Sequence, residues 1–207
     1  MASNIGYFSA KQPCYFLTFN TVDWIDIFIR PVYKQIIVHS LNHFIEHKGL
    51  NLYAWCLMTN HLHLLAQARD NCVIAEIEKE FKNFTTKKIL QDIDTEPDVR
   101  RVWMMEHFEN FGNALGFLKK FHVWQTCSTP VFVDADKKET LIEYTEFIHA
   151  NPVRDRIVES GSDYLYSSAR DYCGMKGLVN VIKLPHIDTQ SSTAETTSNF
   201  FGKFIRN

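Results

Sequence analysis

Apolar positions along this chain follow two rhythms, one helical and one strand-like. Residues 14–20 (Cys-Tyr-Phe-Leu-Thr-Phe-Asn) mix aromatic and β-branched types and predict a first strand. After Pro31, Ile37, Leu41, Phe44 and Ile45 recur at i, i+4, i+7 and i+8. That spacing predicts a helix over Tyr33–Lys48 with one buried stripe, and Gly49 stands where a C-cap is expected. Two apolar runs, Leu52–Met58 and Leu62–Gln67, are broken by Thr59-Asn60 and predict a strand–turn–strand hairpin. Ile74, Ile77, Phe81, Phe84 and Ile89 predict a second helix over 73–91, followed by an acidic turn at Asp92–Asp98.

Helical character returns around 107–120, and short strands are expected at Val123–Gln125 and Val131–Val133. A third long helix over Lys138–Ala150 should stop before Pro152, because proline cannot continue the hydrogen-bond ladder. From Tyr164 onward the pattern weakens, and the polar stretch Thr189–Ser198 reads as a mobile tail. Strands alternate with helices but include a hairpin. The expected class is therefore α+β, an antiparallel β-sheet flanked by helices, and not a doubly wound parallel sheet. One domain over 1–180 with a C-terminal extension over 181–207 is the expected organisation.

Composition narrows this picture. A chain of 207 residues with sixteen Phe, eight Tyr and four Trp has ample material for a core, which excludes wholesale disorder. No apolar run reaches the roughly 18 residues a membrane span needs, and the N-terminus lacks a basic region followed by an apolar one. The five cysteines are scattered, with no C-x-x-C pair, and read as reduced thiols in a cytosol; the expected location is cytoplasmic. A net charge of −2 does not mark a nucleic-acid binder, but the local field at a site matters more than the total.

Candidate chemistry gathers in two segments. On the second arm of the hairpin, His61 and His63 project from one face of the strand while Leu62 and Leu64 project from the other. Neighbouring imidazoles can chelate a divalent metal; the pair alone equally suits two ordinary strand histidines. In Glu146–Arg154, helical geometry puts Tyr144, Phe147 and Asn151 within about 60° of one another. That face could present an aromatic ring and an amide to the histidines, or Asn151 could simply cap a helix that Pro152 ends.

His39, His43 and His47 line one side of the first helix and read as a solvated face, and His149 as a structural hydrogen-bonder. Asp70 and Glu76 are carboxylates that could approach a metal. Trp55, Trp103 and Trp124 could stack bases but are expected mostly in the core, Trp55 above all.

Together the two segments resemble a known family. Leu57-Met58-Thr59-Asn60-His61-Leu62-His63-Leu64-Leu65 is similar to the N-H-x-H-L-L signature of HUH single-tyrosine transposases, and Phe147-Ile148-His149-Ala150-Asn151-Pro152-Val153-Arg154 to their Y-I-H-x-N-P-V-R motif. The resemblance spans roughly residues 14–180 and is nearest to the REP-associated tyrosine transposases. Supporting stretches are Val22-Asp23-Trp24, Lys82-Asn83-Phe84-Thr85 and Tyr166-Ser167-Ser168-Ala169-Arg170.

The resemblance implies an HUH fold of ferredoxin-like or RRM-like type acting on single-stranded or hairpin DNA. It implies Mg²⁺ or Mn²⁺ held by His61, His63 and Asn151, polarising the scissile phosphate. A helical tyrosine attacks phosphorus in such enzymes, leaving a 5′-phosphotyrosine and a free 3′-hydroxyl, so the strand is rejoined elsewhere without ATP. Lys82, Lys87, Lys88 and Arg154 are the expected phosphate contacts, and a homodimer is possible because relatives include both dimers and monomers.

One departure matters. Phe147 occupies the position of the nucleophilic tyrosine, and phenylalanine has no hydroxyl. A replacement, introduced or natural, would leave a DNA-binding protein that cleaves poorly. Alternatively Tyr144, one helical turn earlier and about 5 Å away, takes over. A metal-dependent phosphodiesterase that uses water as its nucleophile is a further reading.

Overall fold

The computed structural model describes residues 12–95, 97–114, 121–126 and 129–184. Four strands, β1 (Cys14–Asn20), β2 (Leu50–Leu57), β3 (His61–Ala68) and β4 (Val131–Val133), form one antiparallel sheet in the order β2-β3-β1-β4. The expected α+β class is what the chain adopts. Register places Thr18 opposite His63 and Asn20 opposite His61, so four polar side chains share one end of one sheet face.

Among the described residues five α-helices flank the sheet: α1 (Pro31–His47), α2 (Ile74–Thr95), α3 (Arg101–Ala114), α4 (Lys138–Arg154) and the single-turn α5 (Ala169–Tyr172). Helices α1 and α2 cover one face, where Ile37, Leu41, Phe44, Phe81 and Ile89 pack on Leu17, Phe19, Leu62 and Leu64. Helix α4 covers the other, with Leu141, Tyr144, Phe147 and Ile148 against Phe16, Cys56 and Leu65. Gly49 closes α1 at φ +74°, and a Cβ there would stand 2.5 Å from Cys72 Sγ, so both conformation and space demand glycine.

The structure corrects several expectations. Helix α2 runs to Thr95 through the expected acidic turn, because Ile89 and Ile93 continue its buried stripe. Helix α3 starts at Arg101, earlier than its pattern suggests, since Val102 and Trp103 are exposed and break the amphipathic rhythm. Around Val123–Gln125 there is a single bridge, Thr21 to Trp124, in place of a strand. Trp124 instead anchors the segment, its ring 5.4 Å from Phe28 and its indole N–H donating to Thr85 Oγ1 at 2.8 Å.

Helix α4 does not stop before Pro152. It continues to Arg154, with Asp155 N–H reaching Asn151 O at 3.0 Å. Proline lies in the last turn and is buried, so the loss of one ladder bond is local. Residues 164–184 are held by side chains and not by periodicity: Tyr164 and Tyr172 hydroxyls donate to the carbonyls of Leu57 and Tyr53 at 2.8 and 3.1 Å. Chain packing extends to Leu184. Residues 115–120 and the Thr189–Ser198 stretch lie outside the described residues. Among the described residues no helix is long and apolar enough to cross a membrane.

Candidate functional site

The β2–β3 turn decides where the histidine pair starts. Thr21 N–H donates to Asn60 O and Phe28 N–H to Thr59 O, both at 2.9 Å, which ties the turn to the segment after β1. The Asn60 side chain then orients His61: its Oδ1 accepts from His61 Nδ1 at 2.9 Å. An amide oxygen can only accept, so His61 carries its proton on Nδ1 and Nε2 keeps a lone pair. His63 is 7% exposed, and its Nδ1 meets Thr18 Oγ1 at 2.8 Å. The two imidazole centroids are 4.8 Å apart.

From across the sheet face, α4 brings Phe147 and Asn151. The Phe147 ring lies 5.5 Å from the His63 ring and 5.7 Å from Phe16, which itself stacks on His63 at 5.3 Å. Arg154 sets its guanidinium 5.5 Å from the Phe147 centroid. Asn151, 8% exposed, donates from Nδ2 to Phe147 O at 2.9 Å. All of these groups come from one chain.

Burial holds both imidazoles neutral. His63 is lowered well below its ordinary value, first by burial, then by His61 and Arg154. His61 is also lowered by burial, but Asp155, a hydrogen bond with Asn151, and Asp26 push it back up. Asn151 and His61 are thus hydrogen-bonded across the sheet face.

These residues fit a divalent cation. Two imidazoles oriented through Nδ1 stand side by side with Asn151 hydrogen-bonded to His61, and the buried Oδ1 of Asn20, opposite His61, has no hydrogen-bond partner among the described residues. The donor set is nitrogen-rich with neutral oxygen, which suits Mn²⁺ better than the harder Mg²⁺. Among the described residues no three His, Cys, Asp or Glu cluster to hold a metal, so an amide would have to complete the set.

Other sequence-predicted residues stand elsewhere. Tyr144 packs on Phe16 at 5.0 Å, and burial, followed by Glu143, raises its hydroxyl pKa. Among the ring contacts of α4, it is Phe147 and not Tyr144 that meets His63. Lys82, Lys87 and Lys88 lie on α2, which packs on the opposite face of the sheet from α4. Lys82 is paired with Glu78 at 2.7 Å and sits 4.8 Å over the Phe19 ring; Lys82 and Lys87 line a groove of about 850 Å³ between α2, α3 and residues 121–126. Asp70 accepts from Gln12 beyond the far end of β3.

His149 bonds Ser168 Oγ at 2.8 Å, the structural role expected of it. His43 stacks on Phe84 at 5.5 Å. Trp55 and Trp124 are buried, whereas Trp103 is exposed. The sequence reading missed Thr18, Asn20 and Asp155, and gave Asn60 and Trp24 no role beyond the motifs that contain them. Thr18 and Asn20 carried a signal: they are polar at alternate positions of an otherwise apolar strand, hence on one face.

Comparisons with known proteins bear on the family and the fold. Residues 19–111 match the family described as IS200-like transposases. The REP-associated tyrosine transposase bound to a REP hairpin is similar in fold, with a TM-score of 0.54 and 16% identity, over 89% of this chain and 96% of that one. A candidate transposase of Deinococcus radiodurans R1 is more distant: TM-score 0.41, 17% identity, 72% of this chain and 95% of the other. No curated protein matches the sequence. The family match takes in β3 with both histidines but ends before α4. The family match spans 93 of the 207 residues, just under half of the chain, and the fold shared with the hairpin-bound transposase extends beyond it.

Proposed function

We propose that this protein binds a single-stranded or hairpin DNA end, places one phosphodiester at His61, His63 and Asn151, and does not form the covalent phosphotyrosine that family chemistry requires. The observation that carries this reading is the seat of Phe147. Its ring lies 5.5 Å from His63 and beside Arg154, where a tyrosine hydroxyl would stand next to a bound phosphate. The metal, when bound, would polarise the phosphate and offset its charge. His61 and His63 would hold it through neutral nitrogens, and Asn151 through its amide oxygen. Arg154 would bind a phosphate oxygen. The hairpin-bound relative of the same fold supports a hairpin ligand.

The test is a gain of chemistry. Labelled hairpin oligonucleotides with unpaired flanks are incubated with Mn²⁺ and either the chain as it stands or its Phe147→Tyr variant, then resolved on a denaturing gel. The parent should bind and give no adduct, and Phe147→Tyr should give a covalent one. An adduct in the parent overturns the reading by pointing to Tyr144; cleavage without adduct points to water as nucleophile.

A further inference from the structure

Asp23 (φ 50°) and Trp24 (φ 54°) are consecutive L-residues in left-handed backbone, in the short 3-10 turn that follows β1. Side chains with a Cβ rarely adopt that region, and such strain persists only where neighbours enforce it. Here they do. Trp24 N–H donates to Thr21 O at 3.2 Å, Asn60 Nδ2 donates to Trp24 O at 3.3 Å, and His107 Nδ1 of α3 meets the Asp23 carboxylate at 2.7 Å.

The constrained turn presents an indole that is 55% exposed, its centroid 6.5 Å from the His61 ring. A large apolar ring left half in water contributes little to folding through its open face. Asn60 joins the two features, since the side chain that orients His61 also holds the Trp24 carbonyl.

We propose that Trp24 is a stacking platform for an unpaired nucleobase next to the phosphate held at His61 and His63. This rests on the DNA reading above and adds the group that grips the nucleotide. Every base has a π-face, so an indole at this place holds DNA of any sequence. Because the turn is fixed before binding, little ordering entropy is lost on contact. His107 hydrogen-bonds the exposed Asp23 carboxylate and so fixes the turn from its other side.

Trp24→Ala, Trp24→Leu and Trp24→Phe are compared with the parent by fluorescence anisotropy, using a pool of labelled hairpins with randomised unpaired flanks. A second pool carries 2-aminopurine in the flank, whose emission falls on stacking. The alanine and leucine variants should bind roughly 5- to 100-fold more weakly and lose the quenching, while phenylalanine keeps most of both. Leucine retains apolar bulk, so its loss isolates the π-face from any effect on folding. Equal binding by the parent and the leucine variant overturns the platform and leaves the DNA reading standing. No binding by the parent overturns both.

Discussion

Asn151 donates from Nδ2 to the main-chain oxygen of Phe147 at 2.9 Å, so the amide is fixed from within its own helix. Its hydrogen bond with His61 raises that imidazole's pKa against the larger effect of burial. Asn151→Ala should weaken Mn²⁺ binding about 10- to 100-fold. Asn151→Asp keeps an oxygen ligand but loses the donor to Phe147, and should bind metal better than alanine does. Calorimetric titration with Mn²⁺ separates the three chains, and equal affinities would remove Asn151 from the ligand set.

Phe147→Tyr should be nearly silent for the fold. The ring keeps its contacts with Phe16 and His63, and the added hydroxyl enters a polar site, so stability should change by less than about 1 kcal/mol. Urea unfolding of both chains measures this independently of any DNA adduct.

Charge near the two faces of the sheet can be told apart by salt. If Arg154 neutralises a phosphate, Arg154→Ala should reduce the slope of log K against log salt by roughly 0.7–0.9. Lys87 and Lys88 are exposed on α2, and their loss should lower the slope only if DNA also crosses that face. Lys82 is already held by Glu78, and its replacement should change the slope least.

Acid should destabilise the protein through buried histidines. Burial pushes His149 down from 6.5 to about 3. Between those values the unfolded chain binds a proton that the native state refuses, so stability falls as pH drops from about 6.5 towards 3. The loss attributable to His149 is on the order of 4 kcal/mol. His149→Gln, which can still donate to Ser168, should flatten this decline in urea unfolding curves across that range. His63 acts in the same direction, so some slope should persist.

Much of this architecture was legible in residue order. The first strand, the hairpin and the histidine alternation depend on local periodicity, and the structure reproduces them. Errors arose where tertiary packing overrides local preference. Ile93 carries α2 through an acidic stretch, Trp124 anchors an irregular segment by its side chain, and Pro152 is tolerated because it falls in a last turn. That the lysines of α2 stand across the sheet from the histidines could not be read from residue order, since helices on opposite faces carry no mark of their side in sequence. Asn60 was legible as a turn residue and as part of the histidine motif, but its link to the Trp24 carbonyl depends on a partner 36 residues away in sequence.

The mixed seat of the Phe147 side chain, between aromatic rings and a guanidinium, has a further consequence. Aromatic neighbours and a cation hold the ring whether or not it bears a phenolic oxygen, so the scaffold does not register the difference. One oxygen atom therefore separates the two side chains at this seat, and exchanging them asks for no rebuilding of the packing around it.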